Sequence, residues 1–311
     1  MPFLRFIPEA TNINFVGIRY FAFAIDGLLL LISIVSIAVQ GFNLGIDFTG
    51  GVKIEVKAER EIDIHTIRTD VDSLGFAGAE VQYFGGGVCN APANSCVLIR
   101  VKPKPNQSEQ ATANAIKAKL GTSVRYPSVE VVGPKVSGEL FRAGVYATLL
   151  AIIAIAFYVA IRFEWQYGIG AAVATGHDVL VTAGLFSVLH WDFSLTSIAA
   201  LLTLAGYSIN DTVVVFDRIR ENRRKYKRMS LGDLINLSTN QMVTRTILTS
   251  GATAISILPL LIFVSNLFEF TAAILFGIVV GTFSSIYVAA ALLLYLPQPA
   301  GRIEDSAAAP A

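Results

Sequence analysis

Long apolar runs, separated by short polar connectors, dominate the chain. Runs close to the roughly 20 residues that a helix needs to cross a bilayer extend over Tyr20–Val39, Ala143–Ile161, Gly168–Leu189, Leu195–Phe216, Thr246–Val264 and Phe270–Leu296. The pattern predicts six spanning helices. Ser36, Ile37 and Ala38 loosely mimic a leader cleavage site, but the run that holds them is longer than a leader core, so it reads as a retained helix.

A different pattern fills residues 41–142, roughly a hundred residues of ordinary globular composition, enough for one small domain with its own core. Alternation predicts strands over Val52–Ala58, Ala79–Phe84, Cys96–Val101 and Val124–Val132, with helices over Asp63–Leu74 and Ser108–Leu120. Asp63 and Ser108 are candidate N-caps, and Gly75 and Gly121 stand where helix ends favour glycine. The order is the ferredoxin-like split βαβ arrangement, which serves many unrelated functions. The fold class is thus an α-helical polytopic membrane protein, a six-helix transmembrane bundle with an inserted α+β ferredoxin-like domain outside the cytoplasm. Its parts are an N-terminal segment 1–19, a first span 20–40, the inserted domain 41–142, spans two to six over 143–296 and a tail 297–311.

Composition agrees with the membrane class: 54% of the 311 residues are hydrophobic and only 15% charged, with a mean hydropathy of +0.60. The net charge of +1 carries little information because the charges are segregated along the chain. Arg218, Arg220, Arg223, Arg224, Lys225, Lys227 and Arg228 crowd behind the fourth run, within a connecting region 217–245. The positive-inside bias places that cluster, and with it both termini, in the cytoplasm, and the inserted domain outside. A cluster beside a span is a topology and headgroup signal rather than a nucleic-acid site. Within the same region, Leu231, Leu234, Ile235 and Leu237 give Ser230–Val243 the pattern of an amphipathic surface helix that redirects the chain into the fifth span.

The only two cysteines, Cys89 and Cys96, flank the loop between the second and third predicted strands. On the external side that placement favours a structural disulfide over a metal pair, for no His or second cysteine pair accompanies them. Gly85, Gly86 and Gly87 precede a loop rather than a helix and so read as a hairpin, not a phosphate cradle. No phosphate-binding loop, HExxH or GxSxG sequence occurs, which leaves ATPase and hydrolase chemistry without a motif and calls for no cofactor or metal.

Ionisable residues inside the runs are the candidate chemistry, since a charge at mid-bilayer costs about 2.5–3.5 kcal/mol on insertion scales. They are Asp26, the pair His177 and Asp178, Asp211, and Arg245 at the cytoplasmic start of the fifth run. At 1.5 Å per residue, Asp178 lies roughly 15 Å and Asp211 roughly 8 Å from the cytoplasmic ends of their runs. Such groups serve either as helix-packing contacts or as a proton or ion path. Arg245 fits a snorkelling arginine as well as a functional one, Asp26 fits a cap or packing anchor, and His177 fits a titrating group or a plain helix contact. Ala172 with Gly176, and Gly277 with Gly281, have the spacing of close helix contacts.

Five ordered motifs make the chain resemble the SecD/SecF family of bacterial protein-export membrane proteins, related to the resistance-nodulation-division transporters. They are GIDFTGG over Gly45–Gly51, VGPKVSGEL over Val132–Leu140, HDV over His177–Val179, GYSINDTVVVFDRIREN over Gly206–Asn222, and TRTILTS over Thr244–Ser250. The resemblance implies an inner-membrane subunit, not an enzyme, that helps the Sec translocase complete preprotein export with the proton motive force. The family's intramembrane aspartate falls on Asp211 and its arginine on Arg245, implying a proton relay with Asp178 and His177 beside it. Asn210 and Asp26 fall to polar support of the helices, and Gly45, Asp47, Gly50 and Gly51 form the motif just outside the first span. The implied partners are SecD in a heterodimer, the SecYEG channel, YajC and YidC as further associates, the translocating preprotein and the lipid bilayer, with no nucleic acid. Half of a proton-driven efflux or lipid transporter, and a purely structural scaffold, are the alternatives.

Overall fold

The computed structural model describes residues 11–76, 79–84, 94–104, 107–264 and 267–297. Among the described residues, six helices are long and apolar enough to cross a membrane. In chain order, helix α1 is Phe15–Gln40; strand β1 is Asn43–Leu44, α2 Ile46–Thr49, β2 Gly51–Lys57, α3 Ile64–Ser73, β3 Glu80–Tyr83, β4 Cys96–Val101, α4 Glu109–Leu120 and β5 Val129–Val132. The chain then returns as α5 Pro134–Arg162, α6 Trp165–Val188, β6 Asp192–Phe193, α7 Leu195–Lys225, α8 Leu231–Phe263 and α9 Phe268–Ser284. A π-helical turn, Ser285–Ala289, carries α9 on to α10, Ala290–Leu292.

The inserted domain has the expected topology. Its sheet runs β3-β4-β2-β5, every pair antiparallel. Val52, Ile54 and Val56 of β2 and Val97, Ile99 and Val101 of β4 point to one face, where Ile67 and Val71 of α3 and Ala113 and Ile116 of α4 close the core. Asp63 caps α3 by accepting the His65 amide, and the Ser108 hydroxyl accepts the Ala111 amide of α4. Hydrogen bonds from Thr66 and from the His65 backbone hold the Asp63 carboxyl below its usual range. The last strand is shorter than the predicted Val124–Val132, because Pro127 removes a ladder donor; upstream of it only a bridge between Lys57 and Arg125 remains. Cys96 is disulfide-bonded. Cys89, the only other cysteine in the sequence, lies outside the described residues, as do Gly85–Gly87.

The bundle has an inner and an outer set of helices. In their most apolar stretches α6, α7 and α9 are 61%, 50% and 61% buried, against 17%, 11% and 11% for α1, α5 and α8, so the first three form the core. The region connecting the fourth and fifth runs differs from expectation. Arg218 to Lys225 continue α7 as helix, and the amphipathic stretch is not a separate surface helix but the first part of the 33-residue α8. Nothing breaks the helix there, since the first proline inside α8 is Pro259. Its polar positions also find protein partners. The Asn236 side chain accepts from Val16 N, Asn240 accepts from Ile13 N, and Ser238 accepts from Asn222. Leu234 and Ile235 pack with Phe216 and Ile219 of α7 instead of lipid.

Helices α1 and α6 approach closely at Gly184, where an added Cβ would stand 2.2 Å from Ser33 Cβ and 2.7 Å from its Cα. Of the expected small-residue pairs, Gly277 packs on Leu204 and Gly281 on Asp178 and Ser208, whereas Gly176 faces open space. Gly184→Val is expected to force the two helices apart and lower stability by at least about 1–3 kcal/mol, the usual range for overpacking. Gly176→Ala leaves it unchanged. Thermal unfolding of the two variants in detergent checks both.

Candidate functional site

The apolar core of α6, α7 and α9 encloses a seam of carboxylates and hydroxyls. Asp178 is fully buried; Ser208 of α7 donates to its Oδ2, Ser284 of α9 donates to the same oxygen at 2.9 Å, and His177 Nδ1 stands 3.3 Å from Oδ1. Gly281 makes the room, for its Cβ would lie 3.4 Å from Asp178 Oδ2. The π turn begins immediately after Ser284, and its first residue, Ser285, shares a 3.0 Å hydrogen bond with Thr212. Such turns recur at functional sites because they re-aim side chains within a helix.

Asp211 lies one turn beyond Ser208 on α7 and is also buried. Its donors are weaker: Thr249 at 3.5 Å to Oδ1 and Ser250 at 3.3 Å to Oδ2, both from α8. Each hydroxyl has an alternative partner. Thr249 also reaches the Arg245 and Thr246 carbonyls at 3.1 and 2.9 Å, and Ser250 is 2.7 Å from Thr282. Arg245 sits one turn before Thr249 on an exposed face of α8; it acts on Asp211 through space, beyond ion-pair contact.

The remaining sequence candidates divide. Asp26 is 4% exposed yet neither oxygen has a hydrogen-bond partner; the ionisable group it faces is His177 Nε2, 4.0 Å away. It is neither a cap nor a bonded packing anchor. Asn210 is exposed rather than turned into the bundle.

Above the bundle, the GIDFTGG segment forms a joint. Strand β1 pairs in parallel with β6, the connector between α6 and α7. Gly45 donates its amide to Phe193 O at 2.9 Å, and an added Cβ there would stand 2.7 Å from Asp192 Oδ1. Asp47 Oδ2 accepts the Leu195 amide at 2.8 Å, capping α7 from another segment. Gly51 has φ +129°, a conformation open to glycine, and its Cβ would meet the Val101 carbonyl at 2.7 Å. Asp192 then anchors the sheet's helix-free face. Arg100 Nη2 of β4 lies 3.0 Å from its Oδ2, off the hydrogen-bond direction and therefore a charge contact, and Lys53 lies 3.9 Å away. The Asp192 amide donates to Glu269 of α9 at 3.1 Å. Burial raises the Asp192 carboxyl above its usual range, opposed by Arg100 and Lys53.

Sequence reasoning missed Arg100, Asp192 and Glu269, which stand in separate segments outside the motifs. It also assigned no role to the serines and threonines of the seam: Ser208, Thr212, Thr249 and Ser250 stand inside the quoted motifs, whereas Ser284 and Ser285 show only a hydroxyl inside an apolar run.

Known proteins share this architecture. A family model described as "Protein export membrane protein SecD/SecF, C-terminal" matches residues 112–298, and the "SecD/SecF GG Motif" matches residues 35–62. The "Protein translocase subunit SecF" of Cereibacter sphaeroides is 41% identical over 298 residues, 94% of this chain and 92% of that one. The subunit of the same description from Vibrio alginolyticus is 42% identical over 290 residues, 92% and 90% of the two chains. Among solved structures, SecDF from Thermus thermophilus, described as a translocon-associated membrane protein, superposes with a TM-score of 0.82 at 36% identity over 93% of this chain. A SecDF in a super-membrane-facing form gives 0.64 at 38% identity over 92%. This chain spans only 39% of each SecDF chain.

Removing one member of a buried ion pair leaves the other charge stranded, typically at a cost of about 3–5 kcal/mol. Arg100→Gln is therefore expected to lower the unfolding midpoint in detergent, and Asp192→Asn in the same chain to recover part of the loss. The pH dependence has a definite sign. The folded-state value of Asp192 is raised, so its ionisation opposes folding as pH climbs past the unfolded-state value. The deficit of Arg100→Gln shrinks on acidification, which unfolding measured across acid to neutral pH reads directly.

Proposed function

The chain belongs to the SecD/SecF family of protein-export membrane proteins, and we propose that it is the accessory translocase subunit that, joined to a SecD half, uses the proton gradient to help complete preprotein export. It is a multi-pass bacterial inner-membrane protein. In this reading both termini are cytoplasmic and the sheet domain is periplasmic. The basic residues that end α7 support that orientation, for they stand at the opposite end of the helix from the joint with the sheet domain.

The observation that carries the reading is the course of α7. One unbroken helix has its first amide capped by Asp47, at the root of the inserted domain, and holds the buried Asp211 16 residues further on, roughly 24 Å along its axis. A change at Asp211 that shifts or rotates α7 is delivered to the domain that would hold the emerging polypeptide. Protonation supplies such a change, because a neutral carboxyl releases the hydroxyls of Thr249 and Ser250 to their other partners and removes the attraction to Arg245. Proton movement down the gradient is worth about 2.3 kcal/mol per charge per 100 mV. His177, with Asp178 as the fixed carboxylate beside it, extends the relay across the core.

The SecD partner is supported by the bundle's outer face. Thr203, Gly206 and Asn210 of α7 are exposed, as are Arg245, Thr249 and Ser256 of α8. An asparagine and an arginine facing outward at this depth fit a polar protein surface better than lipid. The chain spans 39% of the SecDF chains, which fits its pairing with a counterpart of matching kind. SecYEG and the preprotein are the further partners in this reading, with YajC and YidC as associates.

Asp211→Asn is expected to leave assembly with the partner intact and to abolish gradient-dependent export into inverted membrane vesicles. Export at the normal level in that variant overturns the relay. A parallel loss of detergent stability and export would instead assign Asp211 to the scaffold.

A further inference from the structure

We propose that Asp26, His177 and Asp178 form a second proton-holding site, separate from Asp211, in which one proton shared between Asp26 and His177 sets the contact of α1 with α6. The proposal rests on the proton-driven reading above and adds a site to it.

The two carboxylates are served unequally. Asp178 receives Ser208 and Ser284 on one oxygen and faces His177 Nδ1 with the other, so its negative charge has donors. Asp26 has none, although it is 4% exposed and lies within a membrane helix. A bare carboxylate there is strongly disfavoured. The partner it faces is His177 Nε2, which is also buried and unpartnered. With Nδ1–H directed at Asp178, Nε2 carries the free lone pair that an Asp26 hydroxyl needs. α7 and α9 present Ser208, Ser284 and Gly281 to the cluster and bring no charge to it.

Two arrangements hold the same number of protons. In one, Asp26 is a neutral acid and His177 a neutral imidazole. In the other, the Asp26 O–H bond has broken, the Nε2 lone pair has taken the proton, and an imidazolium lies between two carboxylates. No other reactant is needed.

The 4.0 Å between Nε2 and Asp26 Oδ1 is about 1 Å longer than a hydrogen bond. The seam of the two helices explains how that distance can change. α1 and α6 align at a constant offset of 151 residues: Ser36 meets Ser187 at 2.8 Å, Ser33 meets Gly184 in a close backbone approach, and Asp26 faces His177. The seam is closed at one end and slightly open at the other. Proton transfer to His177 draws the open end shut about the Ser33 and Gly184 contact, and the far end of α1 runs directly into β1 and the joint with the sheet domain.

Infrared difference spectroscopy across pH, on the complete complex with its partner in lipid nanodiscs, tests the site through the carbonyl stretch of protonated carboxyls. A protonated-carboxyl band is expected in the native protein and lost in Asp26→Asn; a spectrum unchanged by that substitution overturns the proposal. His177→Gln supplies a second test should Asp26→Asn fail to assemble: the Asp26 band should titrate at a shifted midpoint, and an unmoved midpoint overturns the sharing. Asp211→Asn separates the two readings. Export lost in that variant with no Asp26 band in the native protein leaves the relay standing and sinks this site; export retained with the Asp26 band present does the reverse.

Discussion

A charged side chain in the bilayer interior has to find its hydrogen bonds within the protein, and this requirement orders the bundle. Water is not at hand to solvate a carboxylate, so each one fixes the neighbours that stand around it. Asp178 draws Ser208 from α7 and Ser284 from α9 to the same oxygen, and Gly281 is small where that carboxylate must fit. The three most buried helices are thus joined through one acidic group. Apolar packing of Phe186, Leu201 and Ile278 then fills the space beside it. Lipid competes for apolar surface and cannot compete for these hydrogen bonds, so the polar contacts define which helix faces meet.

The same reasoning distinguishes fixed groups from those able to change. Asp178 is held by short contacts from two helices, and altering its charge would strand the Ser208 hydroxyl and leave Ser284 only its longer contact to the Gly281 carbonyl at 3.3 Å. Asp211 is held at 3.3 and 3.5 Å by hydroxyls that have other acceptors close by. Loss of its charge therefore leaves no buried donor without a partner. A group whose surroundings are satisfied in either protonation state is suited to a relay, whereas one with a single satisfied state is suited to a scaffold. The two aspartates share a core and differ in this respect.

The spanning runs and the order of elements in the inserted domain were legible because both depend on local periodicity: continuous apolar runs for helices in lipid, and alternation for a sheet with one buried face. Element ends were legible where chemistry marks them, as at Asp63 and Ser108. The region after the fourth run was misread because an amphipathic pattern specifies a helix with one polar face and not what covers that face. Asn236 and Asn240 are polar as a surface helix would require, yet they are bonded to the N-terminal segment more than two hundred residues away in sequence. Distance along the chain also hid the joint. Arg100 reads as an ordinary charge on a strand, and Asp192 as an ordinary loop residue, until the fold places them 3.0 Å apart. Among the buried acids, sequence could name Asp26 and Asp211 but could not tell that one lacks every donor while the other has two.

The GIDFTGG motif acquires a mechanical meaning from these contacts. Gly45 is small because the Asp192 carboxylate occupies the place of its Cβ, and Asp47 is acidic because the first amide of α7 needs an acceptor. Both residues act on the connector between α6 and α7, the two helices that carry His177, Asp178 and Asp211. The motif is thereby attached to the ends of the helices whose middles hold the ionisable groups. A helix is stiff over this distance, so a displacement at its centre reaches its end with little loss. α1 gives the inserted domain a second connection, from Asp26 to β1, and α9 a third, through Glu269 and the Asp192 amide. Four of the six spans, α1, α6, α7 and α9, meet at Asp192 or its neighbouring strand. The helices that carry the intramembrane acids thus reach the sheet domain at one place.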